Sequence, residues 1–472
     1  MIDFTPHTVS SCSLPVGNTF TTKTPANAFV KVHTGKTPSV RIVVFRALLL
    51  WIATSLLVAC NNFEDASPTE RTSLMRFYSS NQNMEGTLAE PDTDGGYIIA
   101  GNVIFSESDK DIIIIKTDAL GNKIWEKIFE DGKVNSLNIF DQGYLLAGSR
   151  IEINVNNPEA SEQINTQSRI IIMNRDGVVG TNGEIIFSDS VQAGSKKLHV
   201  DFEAHDVVLD DAGHLIILSS RKAPESFRKS ILVAFNPASA TPTVPIWIQD
   251  DYFLTNRNYV NCNSLQITNS GNLLWAANVL EEESESSAAG EGVSLGFVPP
   301  NATFNNADKL GENDDRNHIA NDLQPSTTGY GLIGTYLQSD KNLKNMFFIK
   351  VDRAGNFIDN SILYFDLGSI AQDRNVSQRD DEGNALTGTF DGGFVLAGTI
   401  TTNNGDTDIV LIKLDAFGKQ LWTRTFGGSG DETVSSVREA SDYGLVLCGT
   451  NTVKGQSSIM LIKTDSKGEL KN

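Results

Sequence analysis

Four residues of the segment HVDFEAHD, namely His199, Asp201, Glu203 and His205, occupy alternate positions. On an extended strand that spacing sends all four to one side, and two imidazoles with two carboxylates form a ligand set for a divalent metal. The first and last would stand roughly 20 Å apart at strand rise, too far to meet on one ion. The spacing therefore predicts a solvated strand rather than a metal centre, with His199 and His205 as the only ligand candidates. The sequence holds no HExxH, CxxC, GxSxG or P-loop pattern. No catalytic residue and no cofactor are assigned. A second group, Asp251, Tyr252, Asp314, Asp315, Asp431 and Glu432, gathers acids and an aromatic in irregular stretches, where ligand-binding loops are commonly found.

Those stretches separate copies of a repeat. The clearest copy reads DGGFVLAGT from Asp391, then DIVLIKLDAFGKQLWTRTFGGSGDE from Asp408; an earlier one reads DGGYIIAGN from Asp94, then DIIIIKTDALGNKIWEKIFEDG from Asp111. The last is YGLVLCGT from Tyr443, then SIMLIKTDSKG from Ser458. Looser copies fill the interval, giving about seven units spaced roughly 50 to 70 residues apart. Each unit holds short, β-rich apolar runs bounded by Gly and Asp, which read as four strands, A to D. Asp118 and Asp415, each with Gly three residues on, make the turn from C to D, and strand D carries Trp125 or Trp422, expected to wedge between neighbouring sheets.

The fold class predicted is all-β: a single β-propeller over 71–472 with about seven four-stranded blades. The segment SLMRFYSS from Ser73 reads as a strand D, and the chain stops after a strand C. Pairing the two closes the ring and removes an open sheet edge. In such a ring the D to A and B to C connections share one face. The long, acidic inserts fall there, so this face is the expected ligand site.

Upstream, Arg41 and Arg46 precede an apolar run from Ala47 to Ala59, too short to span a bilayer but suited to a signal peptide. It ends in Leu57-Val58-Ala59-Cys60, which resembles the lipobox of bacterial lipoproteins. The resemblance implies a signal peptide over 41–59, lipidation of Cys60, a linker over 60–70 and a place at the outer membrane, facing the periplasm or the surface. Residues 1–40 fit no part of such a signal and are read as a mis-assigned or disordered leader. Without residues 1–59 the chain carries 33 basic and 57 acidic residues, a balance of −24. That charge disfavours nucleic acid as a partner.

The DGG(Y/F)xxAG and IKxDxxGxxxW patterns resemble secreted propeller repeats of bacterial surface proteins. They are also similar to the tryptophan-docking repeat of quinoprotein dehydrogenases and of a propeller lipoprotein of outer-membrane protein assembly. Here the interval from Asp118 to Trp125 and from Asp415 to Trp422 is one residue shorter, so quinone binding is not carried over. The expectation is a monomeric, membrane-anchored propeller lipoprotein that binds a glycan, peptide or protein partner without catalysis. Two alternatives stand beside it: a polysaccharide hydrolase or lyase, and a scaffold for outer-membrane protein assembly.

Overall fold

A computed structural model describes residues 73–153, 164–193, 196–222, 228–249, 258–281, 290–298, 306–310, 316–338, 343–367 and 380–470. Seven antiparallel sheets follow one another along the chain. Blade 1 consists of strands Asn83–Pro91, Tyr97–Ile104, Lys110–Thr117 and Lys123–Phe129, labelled A to D. The A strands of blades 2 to 7 are Gly132–Phe140, Lys196–Leu209, Asn258–Ile267, Arg316–Pro325, Asp381–Gly388 and Asp431–Glu439. Blade 7 takes its outer strand from the other end of the chain: Leu74–Tyr78 pairs antiparallel with Gln456–Lys463, Leu74 opposite Lys463 and Tyr78 opposite Ile459. The ring closes as the sequence predicts.

The strand C runs are apolar on both faces because each blade is packed on both sides. In blade 1, Ile113 and Ile115 enter the cluster shared with blade 7, whereas Ile112 and Ile114 enter the one shared with blade 2. Seven such clusters exist, each lying in one seam between neighbouring blades. Cys262 and Cys448 are buried in two of them as thiols. Burial raises both thiols well above the ordinary range, to about 12, as expected of small apolar fillers.

The repeat signature now has a physical meaning. The lysine that ends strand C is sunk under the A to B turn and meets the aspartate there: Lys116 Nζ to Asp94 at 2.7 Å, Lys413 to Asp391 at 2.9 Å, Lys463 to Asp442 at 2.9 Å. Asp118 and Asp415 each accept the backbone N–H groups two and four residues on, at 2.8 to 2.9 Å. Gly121 and Gly418 complete these turns at φ 74° and 88°, a region that favours glycine. Trp125 packs into the seam beside Tyr144 of blade 2, and Trp422 into the seam with blade 7. A Cβ on Gly177 or Gly468, in the C to D turn of the following blade, would strike those indoles.

The structure adds features that the sequence pattern hides. Asp189–Ala193 pairs with the start of strand A of blade 3, making that sheet five-stranded. The irregular stretch from Ile151 to Ser168 is partly strand, since Gly143–Ile153 and Ile164–Asn174 extend into it. Likewise the insert from Asn305 to His318 contains the outer strand of blade 4, Asn306–Leu310.

Candidate functional site

Every A strand carries a β-bulge at the same height. The extra residues are Thr87, Asn135, His205, Ser264, Asn321, Asn384 and Ser435. A bulge leaves one residue unpaired and re-aims its side chain. Here all seven line a central channel of about 500 Å³. In HVDFEAHD the register shift between Ala204 and Asp206 leaves His205 without a partner in the ladder, and Glu203 and His205 both line the channel. The side chain of His199 lies outside the described residues. Among the described residues no cluster of three His, Cys, Asp or Glu side chains fits a metal ion.

The ring of bulges is tied to the seams. In four blades a small polar residue in the second half of strand B reaches the bulge residue of its own blade: Asn102 to Thr87 at 3.3 Å, Ser220 to His205 at 2.9 Å, Thr335 to Asn321 at 3.3 Å, Thr399 to Asn384 at 3.0 Å. The same row accepts backbone N–H groups from the next blade. Val134 donates to Asn102, Ala320 to Asn278, Gly383 to Thr335, and Gly86 to Thr450 across the closure. The residue after the bulge supplies a second bridge, as Leu265 N–H donates to Asp206, Leu386 N–H to Asp322 and Ala89 N–H to Ser436. These side chains satisfy amides that the bulges take out of the ladder.

Charges in the channel are held by the same frame. Arg438 of blade 7 donates to Glu90 of blade 1 at 2.6 Å. Burial drives the Glu90 carboxyl upward against the pull of that guanidinium, and burial also raises Asp206. On the blade 3 wall, Glu203 stands 3.5 Å from Lys133 and 3.8 Å from Arg228. Asn135 donates to Glu203 at 3.1 Å. His205 is pushed down to about 4 by burial, with Lys133 and Arg228 acting the same way against Glu203. Its imidazole is neutral at physiological pH.

The two faces of the ring differ. Most A to B turns span four or five residues, such as 92–96, 268–272 and 389–393, although on the same face the C to D connections of blades 3 and 5 run over 236–244 and 352–362; the B to C and D to A connections include 154–163, 282–289 and 368–379. Asp251, Tyr252, Asp314 and Asp315 belong to D to A connections and lie outside the described residues, as does Cys60. Asp431 and Glu432 open strand A of blade 7 on that same face. They diverge: Asp431 is exposed and accepts Thr407 N–H at 3.2 Å. Glu432 is buried and accepts Gly428 N–H and Asn451 Nδ2, at 3.1 and 3.2 Å. Burial, then Asp408, Asp406 and Asp431, raise its carboxyl. Glu432 thus braces its connection rather than presenting a carboxylate to a ligand. Of the bulge residues only His205 stood out in the sequence; a signal for others was a polar residue 14 or 15 positions before a polar residue of strand B, as for Thr87, Asn321 and Asn384.

No known family matches the chain, and no curated protein matches it in sequence. Solved structures resemble it at low identity. A protein of unknown function from Dyadobacter fermentans is 7% identical, with 83% of this chain and 97% of that one covered and a TM-score of 0.45. An ulvan lyase of a polysaccharide lyase family is 10% identical over 83% and 96%, at a TM-score of 0.48. The β-propeller domain of the trilobed protease of Pyrococcus furiosus is 9% identical over 83% and 93%, at 0.42. At these identities no residue role passes from them to this chain.

Proposed function

We propose that this chain is a lipid-anchored propeller of the bacterial cell envelope that binds a glycan, peptide or protein partner on its loop face, over the mouth of the channel. Export would use residues 41–59 and acylation would fall on Cys60. The connections carry the reading: the A to B turns are short, and the D to A and B to C connections of the opposite face hold long, acidic segments at the end of a channel whose walls are bonded across the seams. A rigid frame with variable loops suits recognition, because little ordering is needed in the frame on binding. Catalysis by carboxyl groups needs one able to exchange a proton with substrate. Glu90, Asp206 and Asp322 instead bond groups of the neighbouring blade.

The enzyme reading keeps one supporting observation, the neutral His205 on the wall that also holds Lys133, Glu203 and Arg228. A neutral imidazole near two cations suits proton abstraction from a uronate. Two measurements decide between these readings. The mature protein is used to probe glycan and peptide arrays and to capture partners from envelope extracts. Replacing Asp251, Asp314, Asp315 and Asp431 by Asn should then weaken the captured interaction about tenfold or more; unchanged binding overturns the loop-face site. Turnover of a uronic-acid polysaccharide that His205→Ala abolishes would establish the enzyme reading instead. Mass spectrometry of the mature amino terminus tests acylation of Cys60.

A further inference from the structure

We infer that the short-turn face of blades 6, 7 and 1 rests on the lipid surface to which the chain is anchored. This inference takes the acylation of Cys60 from the reading above, and its own support lies in where the chain joins the ring and in what is exposed there.

Leu74 pairs with Lys463 at the end of strand C of blade 7, so the first strand begins on the short-turn face. Arg76 Nε donates to Leu120 O at 3.1 Å and Tyr78 to Gly121 O at 2.8 Å, fixing that strand against the C to D turn of blade 1. Residues 61–72 separate Cys60 from the described chain, a reach of at most roughly 45 Å. The anchored end therefore meets the ring at the rim of this face, between blades 7 and 1.

Around that rim several turn tips carry large apolar side chains. Phe417, at the tip of the C to D turn of blade 6, is 92% exposed, and Leu120, at the equivalent tip of blade 1, is 49% exposed. Phe390 and Tyr443, on the A to B turns of blades 6 and 7, are 63% and 53% exposed, with ring centroids 5.5 Å apart. Phenylalanine is seldom left in water to this extent. Tyr443 stands where blades 1 and 6 have Gly95 and Gly392, and it adopts φ 63°. A non-glycine residue there costs about 1 to 2 kcal/mol, a strain that keeps an aromatic ring at the surface. At the position of Phe390 blades 3, 4 and 5 carry Asp211, Asn269 and Thr327, at that of Tyr443 they carry Gly213, Gly271 and Gly329, and at that of Phe417 blade 5 carries Ala354.

The chemistry fits a bilayer interface, where aromatic rings settle at headgroup depth. Carboxylates of this sector are engaged within it: Asp118, Asp415 and Asp465 cap their own turns, and Asp391 and Asp442, though partly exposed, bond buried lysines. The opposite face exposes Asp380 and Asp431 and would be repelled by anionic headgroups. Docking in this orientation turns the loop face away from the membrane, towards its ligand.

The test places a cysteine at Phe417 or at Asn404 on the loop face, labels it with a polarity-sensitive dye, and mixes the mature protein with vesicles of phosphatidylethanolamine and phosphatidylglycerol carrying tail-quencher lipids. The dye at 417 should shift to the blue and be quenched severalfold more than the dye at 404. The same pair is measured in residues 61–472, which retain the closed ring, captured through an amino-terminal hexahistidine on nickel-chelating lipid. Loss of acylation in the mature protein, with quenching intact in the captured form, would sink the anchoring reading and leave the docking face standing. Water-like dye at 417 in both forms overturns the docking face. Shielding of 417 before vesicles are added also overturns it, by showing that a second copy or a protein covers the patch.

Discussion

Blades 6, 7 and 1 differ from blades 3, 4 and 5 in how the same strands are locked. In the first group a lysine is sunk beneath the A to B turn and paired with its aspartate. In blade 1 the lock is larger: Asp92 is buried, meets Lys116 at 2.9 Å, accepts Tyr144 at 2.5 Å and touches Arg175. In the second group the equivalent positions hold Ala234, Phe297 and Lys350, and Lys350 reaches a carbonyl, Ala416 O. Both groups keep the seam bonds, with Asn278 and Thr335 serving as Asn102 and Thr450 do. The recognisable motif therefore locks each blade to itself, whereas a less visible row of small polar residues locks blades to one another.

Breaking the blade 1 lock should have the largest effect. Burial raises Asp92, but bonds from Tyr144 and Lys116 outweigh it and hold the carboxyl at about 2. Asp92→Ala should cost about 3 to 5 kcal/mol, against about 1 kcal/mol or less for Lys350→Ala. Urea unfolding measures both, and equal losses would erase the distinction between the groups.

The next effect sharpens the contrast at one bulge position, occupied by His205 in blade 3 and by Asn384 in blade 6. With a folded pKa of about 4 against about 6.5 unfolded, His205 favours the folded state fully above pH 6.5. As pH falls from 6.5 towards 4 the unfolded chain takes up a proton that the folded one refuses. Stability should drop by about 3 kcal/mol across that window. His205→Asn should flatten this part of the stability profile; a slope that survives the substitution would assign it to other groups.

The smallest effect concerns the row common to both groups. Thr335→Val and Thr450→Val each leave a buried N–H, of Gly383 and Gly86, without its acceptor, and each should cost about 1 to 2 kcal/mol. Similar losses at the two sites would show that the closure between blades 7 and 1 is held like any other seam. A much larger loss at Thr450 would mark the closure as the weak point of the ring.

The blade count, the turn aspartates, the tryptophan positions and the strand supplied by Leu74–Tyr78 could be read from residues 71–472, because turn chemistry and strand patterning act within a few neighbours along the chain. Asp118 is recognisable as a turn residue because Gly121 follows it at fixed distance. The pairing of Lys116 with Asp94 was hidden within a legible motif, since the two residues are 22 positions apart. Glu432, grouped from sequence with the exposed acids, is buried because Gly428 and Asn451 fold over it.

What the sequence determined by itself is a repeating sheet unit, its number and the means of closing the ring. Only the tertiary structure decided that seven bulges align, so that Thr87, Asn135, His205, Ser264, Asn321, Asn384 and Ser435 face one channel. It also decided that the exposed aromatics gather where the chain joins the ring. A bulge is a relation between two strands, and a seam bond joins residues such as Gly86 and Thr450 that are 364 positions apart. Neither leaves a local pattern, because the energy that selects them comes from satisfying amides exposed only when neighbouring blades are in place.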